Sequence, residues 1–96
     1  MSGTTRTSAD LDPRRRRTLF RAWHRGIREM DLIMGRFADA EIGNLSDAEL
    51  DELEQLLEVN DPDLYAAISS DKERAPGVAG ALFARIKGYP IADGHL

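Results

Sequence analysis

The feature that most restricts this chain is the interval between its large apolar residues. Leu19, Phe20, Trp23 and Ile27 follow one another at steps of mostly three and four, as do Met30, Ile33, Met34 and Phe37. The same interval recurs in Leu50, Leu53, Leu56 and Leu57, and again in Val78, Leu82, Phe83 and Ile86. Such a period lays each set along one face of an α-helix. Nowhere do apolar residues alternate at every second position between turn residues, so no segment reads as a strand. With 96 residues the chain holds one core. The expected fold is all-α, a small bundle of about five short helices with connections of roughly 2 to 8 residues.

Local signals bound those helices. Met1 to Asp12 is polar and without period, and reads as a flexible tail. Asp12-Pro13 then offers a capping acid followed by proline at the first helical position, so the domain is expected over 13–89. The second helix is expected from Arg28 to Glu41, stopped at Ile42-Gly43-Asn44. Gly35 inside it costs about 1 kcal/mol relative to alanine and suits close packing. Leu45-Ser46-Asp47-Ala48-Glu49 is a capping box with an apolar residue before it, opening a third helix from Asp47 to Glu58. That helix carries Asp51, Glu52, Glu54, Gln55 and Glu58 on its other face, which reads as solvated. In Asn60-Asp61-Pro62-Asp63, Asp61 is read as the cap of a short fourth helix presenting Leu64, Tyr65 and Ile68. Ser69 to Gly77 reads as a loop, Val78 to Lys87 as the last helix with Gly88 as its stop, and residues 90–96 as a second tail.

Charge is divided along the chain. Residues 1–37 hold nine arginines and four acids, +5, while residues 38–96 hold four bases and thirteen acids, −9, giving −4 in all. Such a dipolar chain suits either an acidic partner or pairing between its own halves. Arg14 to Arg17 point in four directions around one helical turn and read as a solvated first turn. The chain contains no cysteine, so thiolate metal sites, disulfides and cysteine nucleophiles are excluded. No apolar run reaches the length of a membrane span, and the N-terminus has no secretory apolar core. A bacterial cytoplasmic location is expected in preference to the mitochondrial matrix.

The stretch with the densest chemistry is Arg25-Gly26-Ile27-Arg28-Glu29-Met30-Asp31. Two guanidiniums, two carboxylates and a glycine fall where two helices meet. One reading is purely structural: Gly26 ends one helix, and Glu29 and Asp31 favour the partly positive start of the next. It leaves Arg25 and Arg28 unexplained, and these suit bidentate contacts to carboxylate or phosphate. Catalysis is poorly supported. Glu29 and Asp31 do not share a helix face, Gly77-Val78-Ala79-Gly80 follows no strand and lacks a dinucleotide glycine pattern, and His24 and His95 are too far apart in sequence to suggest a metal site. No catalytic residue and no metal ligand is expected. A nucleic-acid-binding or antitoxin-like regulator is the alternative, motivated by the arginines and opposed by a pI of about 5.1.

Three blocks in register resemble one family. Arg25-Gly26-Ile27-Arg28-Glu29-Met30-Asp31 resembles the Arg-Gly-x-Arg-Glu-x-Asp signature of the succinate dehydrogenase FAD assembly factors, the bacterial SdhE family and its mitochondrial relatives. Leu45-Ser46-Asp47-Ala48-Glu49 is similar to that family's Leu-Ser/Thr-x-x-Glu helix start. Leu56-Leu57-Glu58-Val59-Asn60-Asp61-Pro62-Asp63-Leu64-Tyr65 is similar to its Leu-Leu-Glu-x-x-Asp-x-Asp-Leu-aromatic segment. The resemblance covers about Arg14 to Ile68. Met30 stands where leucine is usual, and Ala67 where a tryptophan is often found. The resemblance implies a non-enzymatic chaperone that binds the flavoprotein subunit of succinate dehydrogenase, or of fumarate reductase, and promotes covalent attachment of FAD to a histidine of that subunit. It implies that Arg25, Gly26, Arg28, Glu29 and Asp31 form the partner-facing surface, with Arg28 and Glu29 pairing with partner charges. FAD would be inserted into the partner and not held stably by the factor. A monomer or weak homodimer is expected, with no nucleic acid bound and no direct membrane insertion.

Overall fold

Asp12 opens the first helix as its spacing to Pro13 suggests. Its carboxylate accepts from the Arg15 backbone N–H at 3.2 Å, and α1 runs Pro13–Trp23. The computed structural model describes residues 11–89. Within them follow α2 (Arg28–Glu41), α3 (Asp47–Glu58), α4 (Asp61–Ile68) and α5 (Leu82–Gly88), with a single 3-10 turn at Ile42–Asn44 between α2 and α3. No strand occurs among the described residues, and the fold is the small all-α bundle expected. Two residues placed in the tail expected over 1–12 belong to the bundle: Leu11 is buried in the core and Asp12 is the cap of α1. Expectations for residues 1–10 and 90–96, His95 included, lie outside the described residues.

One core is shared by the helices. Met30, Met34 and Phe37 of α2 and Leu50, Leu53 and Leu56 of α3 are almost wholly buried in it. Each contributes about 2 kcal/mol by leaving water. Leu64 of α4 and Leu82, Phe83 and Ile86 of α5 close the ends. α1 joins through Trp23, whose indole lies against the backbone of α2 at Gly35. A Cβ on residue 35 would stand 2.3 Å from Trp23 Cδ2, so the helix-weakening glycine is the seat of the tryptophan.

Three residues of the expected apolar faces, Phe20, Ile27 and Tyr65, are not in the core, and Ile33 and Ile68 pack against it only partly buried. Phe20 is 62 % exposed and Ile27 42 % exposed. The inward face of α1 is made by Thr18, Leu19, Ala22 and Trp23, and Phe20 falls beside it. Its ring stacks instead on His24, with centroids 3.9 Å apart and planes 17° from parallel. Ile27 lies beyond the end of α1, as the extended residue before α2, so the helical period that pointed it inward no longer applies. On α4, Tyr65 is likewise exposed at 46 %, while Leu64 and Ala67 are buried.

Helix starts explain the remaining differences. The capping box of α3 forms as expected: Ser46 Oγ accepts from Glu49 N at 3.1 Å, and Glu49 accepts from Ser46 N at 2.9 Å. In α4 the cap is Asn60, not Asp61. Asn60 Oδ1 accepts from Asp63 N at 3.0 Å, and Asp61 and Pro62 become the first two helical residues. The last helix begins at Leu82, not Val78, because Gly80 has φ +102° and stops any helix from running through it. Val78 is still buried, as a loop residue. The carboxylate of Glu52 on α3 accepts from Leu82 N at 2.7 Å, and the connection over 69–81 is longer than expected.

The two halves of the chain do pair with each other. Arg14 grips Glu54 with two parallel bonds of 2.8 Å and also meets Asp51. Arg21 meets Glu58 at 2.5 Å. Arg15 donates to the carbonyls of Ile42 at 3.0 Å and Leu45 at 2.6 Å. The first turn of α1 and the acidic face of α3 are therefore not simply solvated faces, as expected, but one interface. Hydrogen bonds from Arg14 hold the Glu54 carboxyl below the ordinary glutamate range, against the opposite pull of partial desolvation.

Two predictions follow from this packing. Gly35→Ala should lower stability by about 2 kcal/mol despite alanine's better helix propensity, since overpacking a seated aromatic outweighs it; a thermal melt by circular dichroism should drop by about 10 °C. For Glu54, a lowered folded pKa means that its stabilisation is complete above the unfolded value of about 4.3 and is lost as pH falls through the folded one. Urea titrations from about pH 5 down to pH 2 should show Glu54→Gln losing stability less steeply than the wild type.

Candidate partner-binding corner

Trp23 ends α1 and Arg28 begins α2. Between them the chain reverses through Gly26, whose φ of +102° an L side chain would adopt only under strain. The N-cap of α2 is Ile27, which has no side-chain acceptor. That task passes to Asp31, one turn into the helix. Its Oδ1 accepts from the backbone N–H of Arg25 and, at 3.2 Å, from that of Gly26. The carboxylate thus satisfies the turn preceding the helix and does not merely sit in the field of the helix start.

Arg25 points the other way. Its Nε donates to Asp61 Oδ1 at 2.8 Å, with Nη2 2.6 Å from the same oxygen. Nη1 donates to the Leu57 carbonyl at 2.5 Å and Nη2 to the Val59 carbonyl at 2.6 Å. The side chains of the pair are only 8 % and 14 % exposed. The planar fork of the guanidinium fills a socket made by the end of α3 and the start of α4, a task that a lysine's compact charge does not fit.

The structure therefore divides the five residues expected to face a partner. Arg25 and Asp31 turn inward and build the corner; in this respect they differ from the expectation. Gly26, Arg28 and Glu29 are exposed. The side chains of Arg28 and Glu29 make no hydrogen bond or ion pair with any described residue, and a Cβ on Gly26 would meet nothing within 4 Å. An approaching surface would meet one cation, one anion and a stretch of bare backbone. Beside the corner, an open groove of about 370 Å³ runs between Phe20 and His24 on one wall and Asn60 and Asp61 on the other.

Sequence reasoning missed Asp61 as the partner of Arg25. The signal was present: Asn60 precedes it and is an equally good cap, which frees Asp61 for another use. The pairing itself spans 36 residues and has no local signature. Among the described residues no group of three or more His, Cys, Asp or Glu is arranged to hold a metal ion. No helix among them is long and apolar enough to cross a membrane.

Known proteins resemble this chain over most of the described bundle. A family model described as the flavinator of succinate dehydrogenase matches residues 16–90, and so extends past Ile68 through α5. A mitochondrial succinate dehydrogenase assembly factor 2 from Meyerozyma guilliermondii is 40 % identical over 60 residues, which is 62 % of this chain and 44 % of that protein. The FAD assembly factor SdhE of Acetobacter pasteurianus is 44 % identical over 55 residues, 57 % of this chain and 50 % of that one. A mitochondrial assembly factor 2 from Lodderomyces elongisporus is 33 % identical over 76 residues, 79 % of this chain and 46 % of its own length. The chain thus spans about half the length of these curated relatives, which come from both bacteria and mitochondria. No solved structure gives a significant match. The match over nearly all of the described bundle, carrying both the charged corner and the turn that anchors it, shows that the chain belongs to the family of succinate dehydrogenase flavinators.

Proposed function

We propose that this protein is an assembly factor that binds the flavoprotein subunit of succinate dehydrogenase and promotes the covalent attachment of FAD to it. The family match over residues 16–90 is the observation that carries this reading. The corner gives it a physical form. Gly26, Arg28 and Glu29 form the contact surface, presented on backbone that Asp31 and Arg25 hold in place. The exposed side chains of Phe20 and Ile27 flank it and supply the apolar area that partner surfaces bury.

In this reading the factor is not an enzyme. No bond is made or broken by its own side chains. It fixes the partner in the arrangement from which a partner histidine attacks the flavin, and so converts an encounter of mobile groups into an oriented one. FAD belongs to the partner, and the factor holds none stably. The flavoprotein subunit of fumarate reductase would present similar chemistry to the same surface. A bacterial cytoplasmic protein fits this role, acting as a monomer or weak homodimer.

The nucleic-acid reading is the less favoured one. Arg14, Arg15, Arg21 and Arg25 are engaged with acids and carbonyls of the same chain, which takes four of the nine arginines of residues 1–37 away from phosphates and leaves Arg16, Arg17 and Arg28 exposed.

The test uses an apo flavoprotein subunit of succinate dehydrogenase with FAD, read as flavin fluorescence of the denatured subunit in a gel. Fluorescence should rise with added factor. Arg28→Ala and Glu29→Ala should each raise the factor concentration needed for half-maximal flavinylation by about tenfold, equivalent to about 1.4 kcal/mol of binding. Their thermal midpoints should stay within about 3 °C of wild type, because these side chains are exposed and form no hydrogen bond or ion pair among the described residues. Gly26→Arg is a less direct probe, since its φ imposes about 1–2 kcal/mol of strain on any side chain. A subunit that acquires flavin equally with and without the factor would refute the proposal.

A further inference from the structure

The Leu56–Tyr65 block has its own place in this protein. Its conspicuous acid, Asp61, faces inward and is 14 % exposed, so a direct contact with a partner does not account for it. We infer that Arg25 and Asp61 are positioning residues, which act on the partner through Arg28 and Glu29 by fixing the corner that presents them. This inference rests on the function proposed above and assigns a second residue set to the same site.

The corner is a short turn from His24 to Ile27 between two helices. His24 stays attached to α1, its Nδ1 2.7 Å from the Phe20 carbonyl, and the Arg25–Gly26 step beyond it has two side-chain anchors among the described residues. One is local: Asp31 accepts from the Arg25 and Gly26 amides and fixes the turn to α2. The other is long-range: the Arg25 guanidinium meets three acceptors, Asp61 Oδ1 and the carbonyls of Leu57 and Val59. Those carbonyls belong to the end of α3 and the residue after it, where no further helical N–H is available to them. The socket therefore needs a cation with several donors in one plane, and Arg25 in turn needs those acceptors once it is buried. With the pair formed, residues 25–29 are tied to the bundle on both sides. Without it, Arg25 and Gly26 are held by the Asp31 carboxylate of α2 alone, and the angle between Arg28 and the rest of the surface is freer to vary. Groups positioned by such a shell lose function when the shell loosens, even where they are themselves intact.

The experiment is a double-mutant cycle on the full chain, using the same flavinylation assay, with Asp61→Asn, Arg28→Ala and their combination. Asp61→Asn keeps the shape and one acceptor while removing the charge, and circular dichroism verifies that it folds. Arg25→Lys is a second variant, which keeps the charge and loses the fork. The expected result is a rise of about tenfold in the half-maximal factor concentration for Asp61→Asn in the wild-type background and no more than about twofold with Arg28→Ala, a coupling of the size that interacting groups show. Arg25→Lys should resemble Asp61→Asn. Amide hydrogen exchange of the free protein provides a readout independent of any partner: exchange over 25–30 should accelerate about tenfold in Asp61→Asn, with α3 unchanged. Effects of Asp61→Asn and Arg28→Ala that simply multiply would overturn the inference, as would exchange at the corner that does not change, or an Arg25→Lys variant with wild-type potency. A wild-type factor without effect on flavinylation overturns the functional proposal and this inference with it, whereas an Arg28→Ala defect without coupling to Asp61 overturns this inference alone.

Discussion

Trp23 resting on the backbone of α2 is the contact that the rest of the molecule depends on. A helix of eleven residues such as α1 is marginal alone in water, so its place is set by what its apolar face meets. It meets a gap left by the missing side chain of Gly35. Because that seat lies eight residues into α2, it fixes how far α1 runs back along α2. It therefore fixes where the intervening turn must be made. The charged corner stands at the end of that hairpin of helices, and its position follows from a packing contact more than from its own charges.

The opposite charges of the two halves act at a second level. The arginines of α1 and the acids of α3 meet across an interface that is part buried and part wet. Pairs of this kind contribute modestly when exposed, and more where the geometry is bidentate, as between Arg14 and Glu54. Their larger effect is on specificity: they settle which face of α1 turns towards α3. They also engage Arg14, Arg15 and Arg21 within the chain. Arg28 and Glu29 stay outside this pairing and present charges of both signs side by side at the corner.

The bundle was legible because its signals are local. The capping box at Ser46 and Glu49, the apolar period of α2 and α3, and the Asp12-Pro13 start each depend on residues within one or two turns. The bounds of α2 and α3 agree with the structure for that reason. Errors arose where a tertiary contact decided between locally equivalent choices. Asn60 and Asp61 are both good caps, and the engagement of Asp61 with Arg25 36 residues away selects Asn60. Phe20 and Leu19 are both large and apolar, and only the direction of α2 decides which is buried. Half of the candidate site was readable as a motif. The division between residues that present the surface and residues that hold it was not, because Arg25 and Arg28 are chemically the same and differ only in what lies around them.

The start of α5 carries a further consequence. Ala81 offers no capping side chain to this seven-residue helix, and the acceptor for Leu82 N comes from Glu52, thirty residues earlier on α3. So short a segment has no means of nucleating by itself. The acceptor for its first backbone N–H comes from α3, and its apolar anchorage comes from the common core in which Leu82, Phe83 and Ile86 are buried. The order of this last helix is therefore a property of the whole bundle and not of its own seven residues, and it stands or falls with the cooperative fold.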